Sequence, residues 1–130
     1  MEIAQLSTSL GILLIAGTHE RAHYAFMMAT AAASLGRKVV LFATNQGCRA
    51  LAADWSSLDE VGRDAVIRRR GVTGLGELRD VAVELSIRLI ACEAGLRAEG
   101  MQETALLGGV EVAGIATFLE AVGEGQMISL

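Results

Sequence analysis

The chain has 130 residues, of which 52% are hydrophobic and only 4% aromatic, and its formal net charge is −4. A chain of this length is expected to form one domain over residues 1–130, burying about two thirds of its unfolded surface in an aliphatic core. The negative charge argues against nucleic acid as a partner, since phosphate binding needs clustered Lys and Arg. The basic run Arg68–Arg69–Arg70 is predicted to be a solvated helix end or loop.

The sequence predicts a cytoplasmic protein without a membrane segment. No uncharged apolar run reaches the length that spans a bilayer, and Glu2 near the N-terminus argues against a signal peptide. The two cysteines, Cys48 and Cys92, belong to no CxxC motif and no Cys/His cluster. They therefore predict neither a disulfide framework nor a zinc site, and we expect a reducing compartment and no metal or cofactor.

In chain order, short apolar runs alternate with segments of helical periodicity. Residues 1–9 are polar enough to be a frayed lead-in. Thr18 is placed to cap the first helix, and Glu20 lies favourably in its first turn. The predicted strands span residues 11–16, 39–43, 87–91, 110–113 and 127–130. The predicted helices span residues 19–35, 73–85, 101–107 and 115–122, with a loop and a short amphipathic helix between residues 54 and 71.

This alternation predicts the α/β class, as a three-layer α/β/α sandwich with a mostly parallel sheet of about five strands. The last strand, residues 127–130, is expected at an edge. No proline, internal repeat or change in composition marks a linker. In sheets of this kind, ligands bind outside the carboxyl ends of the strands, so residues that directly follow a strand are the first candidates for function.

Cys92 follows directly on the third predicted strand and is the leading candidate for chemistry. Ala94 and Gly95 leave room around its sulfur, and the amino end of a following helix favours a thiolate. The neighbouring carboxylate of Glu93 opposes a second negative charge. The alternative is an inert cysteine that packs in the core as a small hydrophobic residue.

Other side chains are predicted near the same edge of the sheet. Thr18 and His19 form the turn after the first strand, and Cys48 lies in the turn after the second, where it is either a resolving thiol or without a role. His19 and His23 lie one helical turn apart, a spacing that can hold a metal. We instead expect His19 to be a polar turn residue and His23 to be solvated or hydrogen-bonded.

The order of these features resembles the DsrE/DsrF-like family, which includes the Tus sulfur-relay subunits. The resemblance covers most of the chain, and its most specific part is the strand that ends in Cys92. The matching stretches are the strand 11–16, residues 36–42 followed by Gly47, Glu77–Leu78 leading into residues 87–92, and residues 109–114.

The resemblance implies a three-layer α/β/α domain that assembles into trimers, hexamers or mixed oligomers. It also implies sulfur carriage as a persulfide on Cys92, the one residue that carries over, with sulfur donor and acceptor proteins as partners. Some relatives lack the thiol and serve as structural partners. The leading hypothesis is therefore a cytoplasmic, homo-oligomeric carrier of the sulfurtransferase type. The alternatives are a structural or regulatory oligomer subunit with an inert thiol, and a thiol-disulfide switch between Cys48 and Cys92.

Overall fold

The computed structural model describes residues 8–130, so most of the lead-in predicted over residues 1–9 lies outside the described residues. The strands are β1 (Leu10–Leu14), β2 (Val39–Ala43), β3 (Arg88–Cys92), β4 (Glu111–Ala113) and β5 (Gln126–Ser129). The helices are α1 (His19–Ser34), α2 (Arg63–Arg69), α3 (Leu75–Glu84), α4 (Glu93–Ala98) and α5 (Ile115–Val122). A 3-10 helix, Asn45–Leu51, follows β2.

The five strands form one sheet in the order β4-β3-β2-β1-β5, and all neighbouring pairs are parallel. From β1 to β4 the chain adds strands in one direction, and α5 then returns it across the sheet to β5 at the other edge. Crossovers between parallel strands are right-handed, so reversing the direction of travel moves the connecting helix to the opposite face. Helices therefore cover both faces, which confirms the predicted α/β class and the edge position of the last strand.

Alternation of side chains along the strands divides the core into two clusters. The larger cluster joins one face of the sheet to α1, α3 and the 3-10 helix, with Phe26 and Leu41 among its fully buried members. The smaller cluster lies under α5, where the rings of Phe42 and Phe118 stack with their centroids 5.0 Å apart. Burying each such large side chain contributes about 1.5–3 kcal/mol. A single eight-residue helix thus supplies the packing on the face that carries Cys92.

The prediction of a helix over residues 101–107 is wrong. The chain instead forms α4 directly after β3, because Cys92 caps its first turn and Gly100, with a φ of 68°, ends it in the left-handed region that favours glycine. Residues 101–107 are then turns and extended chain, and Leu106 makes an isolated antiparallel bridge to Ala52. This pairing over a long sequence distance has no signature in local periodicity.

The other predicted helices are confirmed within a few residues, including the short one between residues 54 and 71, which is α2. The basic run Arg68–Arg70 ends α2 and is exposed, as predicted. The turn predicted after the second strand, which holds Cys48, is longer than expected and forms the 3-10 helix. Among the helices of residues 8–130, none combines the length and the hydropathy needed to cross a membrane.

Candidate functional site

Cys92 is the last residue of β3, and its side chain lies on the face of the sheet covered by α5. It pairs in register with Ala113 of β4 and packs in the smaller cluster with Ile90, Phe42 and Phe118. Only 6% of its surface is exposed. The structure therefore places the thiol at the carboxyl edge of the sheet, as predicted, but among apolar side chains and largely enclosed.

The sulfur of Cys92 caps α4. The backbone N–H of Gly95 donates a hydrogen bond to Sγ over 3.3 Å, which puts cysteine in the position that Ser, Thr, Asp or Asn usually takes before a helix. One of the unpaired donors at the start of the helix is thereby satisfied. The same N–H is directed at the atom that would carry negative charge in a thiolate or persulfide anion.

Gly95 allows this contact because α4 packs directly against the chain that leaves β2. A Cβ atom at Gly95 would overlap the backbone nitrogen of Asn45 and would lie 2.5 Å from Oγ1 of Thr44. Asn45 itself adopts a φ of 52°, a left-handed conformation that non-glycine residues rarely take. The missing side chain at Gly95 therefore lets the N–H group reach the sulfur of Cys92.

Cys48 lies in the 3-10 helix and belongs to the larger core cluster, whereas Cys92 belongs to the smaller one. Its side chain is fully enclosed, and its Sγ–H donates a weak hydrogen bond to the carbonyl of Ala43 over 3.5 Å. Burial, with smaller contributions from the charges of Cys92 and Glu99, raises the pKa of the Cys48 thiol to about 11. Both cysteines are free thiols in the structure, and the switch between them stays a prediction.

Glu93 and Thr18 have local roles next to their helices. The carboxylate of Glu93 is exposed and forms an ion pair with Arg97 one turn along α4, at 3.5 Å. A cleft of about 390 Å³ on this side of α4 is lined by Glu93, Ala94, Arg97 and Ala98. Thr18 caps α1 as predicted, with its side-chain oxygen accepting a hydrogen bond from the N–H of Arg21 at 3.3 Å.

His19 was expected at the edge near Cys92, but its described contacts are elsewhere. It is fully buried, with Nε2 2.8 Å from Oδ1 of Asp64, and its ring stacks on that of His23 at 5.6 Å. His23 is hydrogen-bonded, as predicted, through Nε2 to the carbonyl of Thr73 at 2.8 Å. Residues 19–23 do have the spacing of the HExxH zinc motif. Both Nε2 atoms are nevertheless occupied, and residues 8–130 hold no group of three side chains arranged to bind a metal.

Asp64 is a buried residue that sequence reasoning missed. Its Oδ1 accepts hydrogen bonds from the ring of His19 and from the backbone N–H of Leu75, each over 2.8 Å. Burial alone would raise the pKa of this carboxyl, but the two donors outweigh it and the pKa lies below its usual value. Asp64 thus joins α1, α2 and the start of α3. Its position 45 residues from His19 leaves no local pattern from which to predict the pair.

Comparisons of sequence identify a family and two relatives that this chain resembles. The model of the DsrE/DsrF-like family matches residues 9–130. The uncharacterized protein YrkE of Bacillus subtilis is 25% identical over 147 residues, covering 89% of this chain and 92% of YrkE. The sulfur carrier protein DsrE2 of Allochromatium vinosum is 33% identical over 61 residues, which cover 47% of this chain and 38% of DsrE2.

Solved structures show the same fold. The ychN protein of E. coli superposes with a TM-score of 0.72 at 11% identity, and the protein of unknown function MTH1491 of Methanobacterium thermoautotrophicum with a TM-score of 0.56 at 20% identity. In each case the match covers 95% of this chain and 99% of the other. The match of the family model over residues 9–130, together with this fold, shows that the chain belongs to the DsrE/DsrF-like family.

Proposed function

We propose that this protein is a cytoplasmic sulfur carrier that holds sulfane sulfur as a persulfide on Cys92. The observation that carries the proposal is the position of Cys92 Sγ at the carboxyl end of β3, where it accepts the N–H of Gly95 at 3.3 Å. Membership of the DsrE/DsrF-like family supports it, as does the local match to a protein named as a sulfur carrier. The site needs no other catalytic side chain for this exchange.

The proposed transfer consists of two thiol-exchange steps. The Cys92 thiolate attacks the outer sulfur of a donor protein's persulfide, an S–S bond forms on Cys92, and the donor's S–S bond breaks to release its thiolate. A thiolate of the acceptor protein then attacks the outer sulfur on Cys92, which regenerates the Cys92 thiolate. Each step breaks one S–S bond and forms another, so no external oxidant or reductant is required.

The surroundings of α4 offer a route for the partners. The cleft lined by Glu93, Ala94, Arg97 and Ala98 lies next to the segment that carries Cys92. The exposed ion pair of Glu93 and Arg97, next to the small side chains of Ala94 and Ala98, suits transient contact with another protein chain. We propose that donor and acceptor proteins approach the thiol from this side.

The test is the intact mass of the protein after treatment with polysulfide or with a persulfide donor. The wild type and a Cys48→Ala variant should each gain one labile sulfur that dithiothreitol removes, and a Cys92→Ser variant should gain none. Cys48→Ala is the matched control because it removes the other thiol and leaves Cys92 in place. No sulfur on the wild type, or equal loading of the Cys92→Ser variant, would refute the proposal.

The burial of Cys92 favours a second candidate, a structural or regulatory subunit whose thiol is inert. With 6% of its surface exposed and aromatic neighbours, Cys92 packs as a core residue does. Alkylation by iodoacetamide separates the two functions. A carrier should be modified on Cys92 while still folded, whereas the inert subunit should be modified only at the rate of global unfolding.

We further propose that the protein forms homo-oligomers, trimers or hexamers, through the face covered by α5. Ile115 and Leu119 project from α5 with 49% and 52% exposure, and Met127 of the edge strand β5 is 44% exposed. Apolar side chains that lie together on a surface often mark subunit contacts. Size-exclusion chromatography with light scattering tests this, and a Leu119→Asp variant should shift the protein toward the monomer. A wild type that is monomeric at high concentration would contradict the proposal.

A further inference from the structure

A cleft of about 380 Å³ lies apart from Cys92, where Trp55 faces α2 and the start of α3. Its size is within the range of small-molecule sites. Trp55 and the buried residues Asp64 and Arg79 contribute to its walls. The other lining residues are Arg68, Gly74, Gly76, Glu77 and Asp80.

Two buried charges line this cleft. Asp64 is 8% exposed and Arg79 is 5% exposed, and burying charges is costly unless they are paired or hydrogen-bonded. Arg79 is satisfied, because its guanidinium donates to the backbone carbonyls of residues 50, 52 and 53. Asp64 is satisfied at Oδ1 only, and no hydrogen bond within residues 8–130 uses its Oδ2. The cleft wall therefore presents a spare carboxylate oxygen, while the hydrogen-bond donors of Arg79 are largely occupied.

The wall is supported from behind by His19. Its ring lies 6.3 Å from that of Trp55, and its Nε2 holds Asp64 in place. The other ring nitrogen, Nδ1, is buried and has no hydrogen-bond partner in the described part of the chain. His19 is thus a positioning residue for both Trp55 and Asp64.

The remaining residues of the wall favour positive charge in the ligand. Glu77 and Asp80 are exposed on α3, and within residues 8–130 neither forms an ion pair. Arg68 lies against Gly74 through its aliphatic Cγ and Cδ atoms, and its positive charge helps to lower the pKa of Asp64. The wall therefore carries three carboxylates against two guanidinium groups, which leaves it negative. Gly76 lies next to the indole of Trp55 and has no side chain to cover it. A Cβ atom at this position would lie 3.8 Å from the ring.

We propose that this cleft binds a small organic cation, a protonated amine attached to a flat or apolar group. The ammonium group would lie over the face of the Trp55 indole and face the Asp64, Glu77 and Asp80 carboxylates, with the flat or apolar group beside it. A cation over the face of Trp is the strongest of the cation–π pairs, and nearby carboxylates add to the attraction. The site is independent of the proposed sulfur chemistry and shares no residue with it.

Trp55 is the chain's only tryptophan, so its fluorescence reports on this cleft directly. The probe is benzylammonium, compared with benzyl alcohol, which has the same ring and no charge. Benzylammonium should give a saturable change in Trp55 emission with an affinity about two- to thirtyfold higher than that of benzyl alcohol, the range expected for a cation–π contact. Equal affinities would overturn the assignment of a cation, and no saturable change with either probe would overturn the site.

Variants at the exposed acids test the charges without disturbing the core. Glu77→Gln combined with Asp80→Asn should weaken benzylammonium binding about two- to tenfold and leave benzyl alcohol binding unchanged. Glu84→Gln, at the far end of α3, is the matched control and should change neither affinity. A Cys92→Ser variant should bind the probe as the wild type does, so this test is separate from that of the proposed sulfur transfer. Unchanged benzylammonium binding in the double variant would contradict the role of the acids.

Discussion

Replacing Gly95 with alanine tests how α4 is held over the Cys92 sulfur. The added Cβ would overlap the backbone nitrogen of Asn45 and would lie 2.5 Å from Oγ1 and 3.0 Å from Cα of Thr44. Two of these three atoms belong to the backbone and cannot rotate aside. The helix must therefore move away from the turn after β2, which lengthens the 3.3 Å hydrogen bond from the N–H group to Cys92 Sγ.

The expected cost is the sum of two destabilising contributions and one that offsets them. Overpacking against an unyielding neighbour costs about 1–3 kcal/mol, and loss of the hydrogen bond to sulfur adds to it by about 0.5–1 kcal/mol. Alanine offsets about 1 kcal/mol of this because it is a better helix former than glycine. The net loss in free energy of unfolding should be about 0.5–3 kcal/mol, or roughly 2–12 °C in Tm for a chain of this size.

Urea unfolding followed by circular dichroism measures this difference, and Gly62→Ala provides the matched control. Gly62 has a helical φ of −62°, and a Cβ there would meet no atom within 4 Å. That variant should therefore be as stable as the wild type or slightly more stable. Removing the obstructing hydroxyl with Thr44→Ala should recover part of the loss caused by Gly95→Ala. If Gly95→Ala were as stable as Gly62→Ala, the close approach of α4 to the turn would be refuted.

Three further predictions concern buried polar groups. The folded pKa of Asp64 lies below its unfolded value of 3.8, so its stabilisation is present above that value and is lost as the pH falls. Asp64→Asn should therefore cost about 1–3 kcal/mol at neutral pH and less below about pH 4, and a pH-independent cost in urea unfolding would contradict this. Arg79→Met removes donors from three carbonyls and should cost about 2–4 kcal/mol, measured in the same way; wild-type stability would show that these bonds do not matter. Fully enclosed and with a pKa of about 11, Cys48 should be alkylated much more slowly than Cys92 at neutral pH, and equal rates in peptide mass spectra would contradict its placement.

The candidate site shows how much of a functional site can be predicted from local sequence pattern. Cys92 could be placed at the end of a strand because an apolar run of residues 87–91 precedes it, and strand ends in parallel sheets share one edge. The helix was predicted over residues 101–107 instead of Glu93–Ala98, because the cap of α4 is a cysteine and its closing signal is one glycine, Gly100. The spacing of the apolar residues in 101–107 favoured a helix there and outweighed these two signals. In the structure that segment is not helical, and a bridge to Ala52 holds it.

What the sequence determined by itself is the succession of strands and helices and the fold class. Those depend on periodicity and turn residues within a few positions of each other, and they are sufficient to specify a parallel sheet covered on both faces. The tertiary structure alone decided which groups meet. The 3-10 helix packs Cys48 into the larger core cluster, whereas Cys92 at the end of β3 faces the smaller one. The packing of α1 against α2 and α3 joins His19 to Asp64. Burial and long-range hydrogen bonds arise only when distant segments pack, so no local pattern records them.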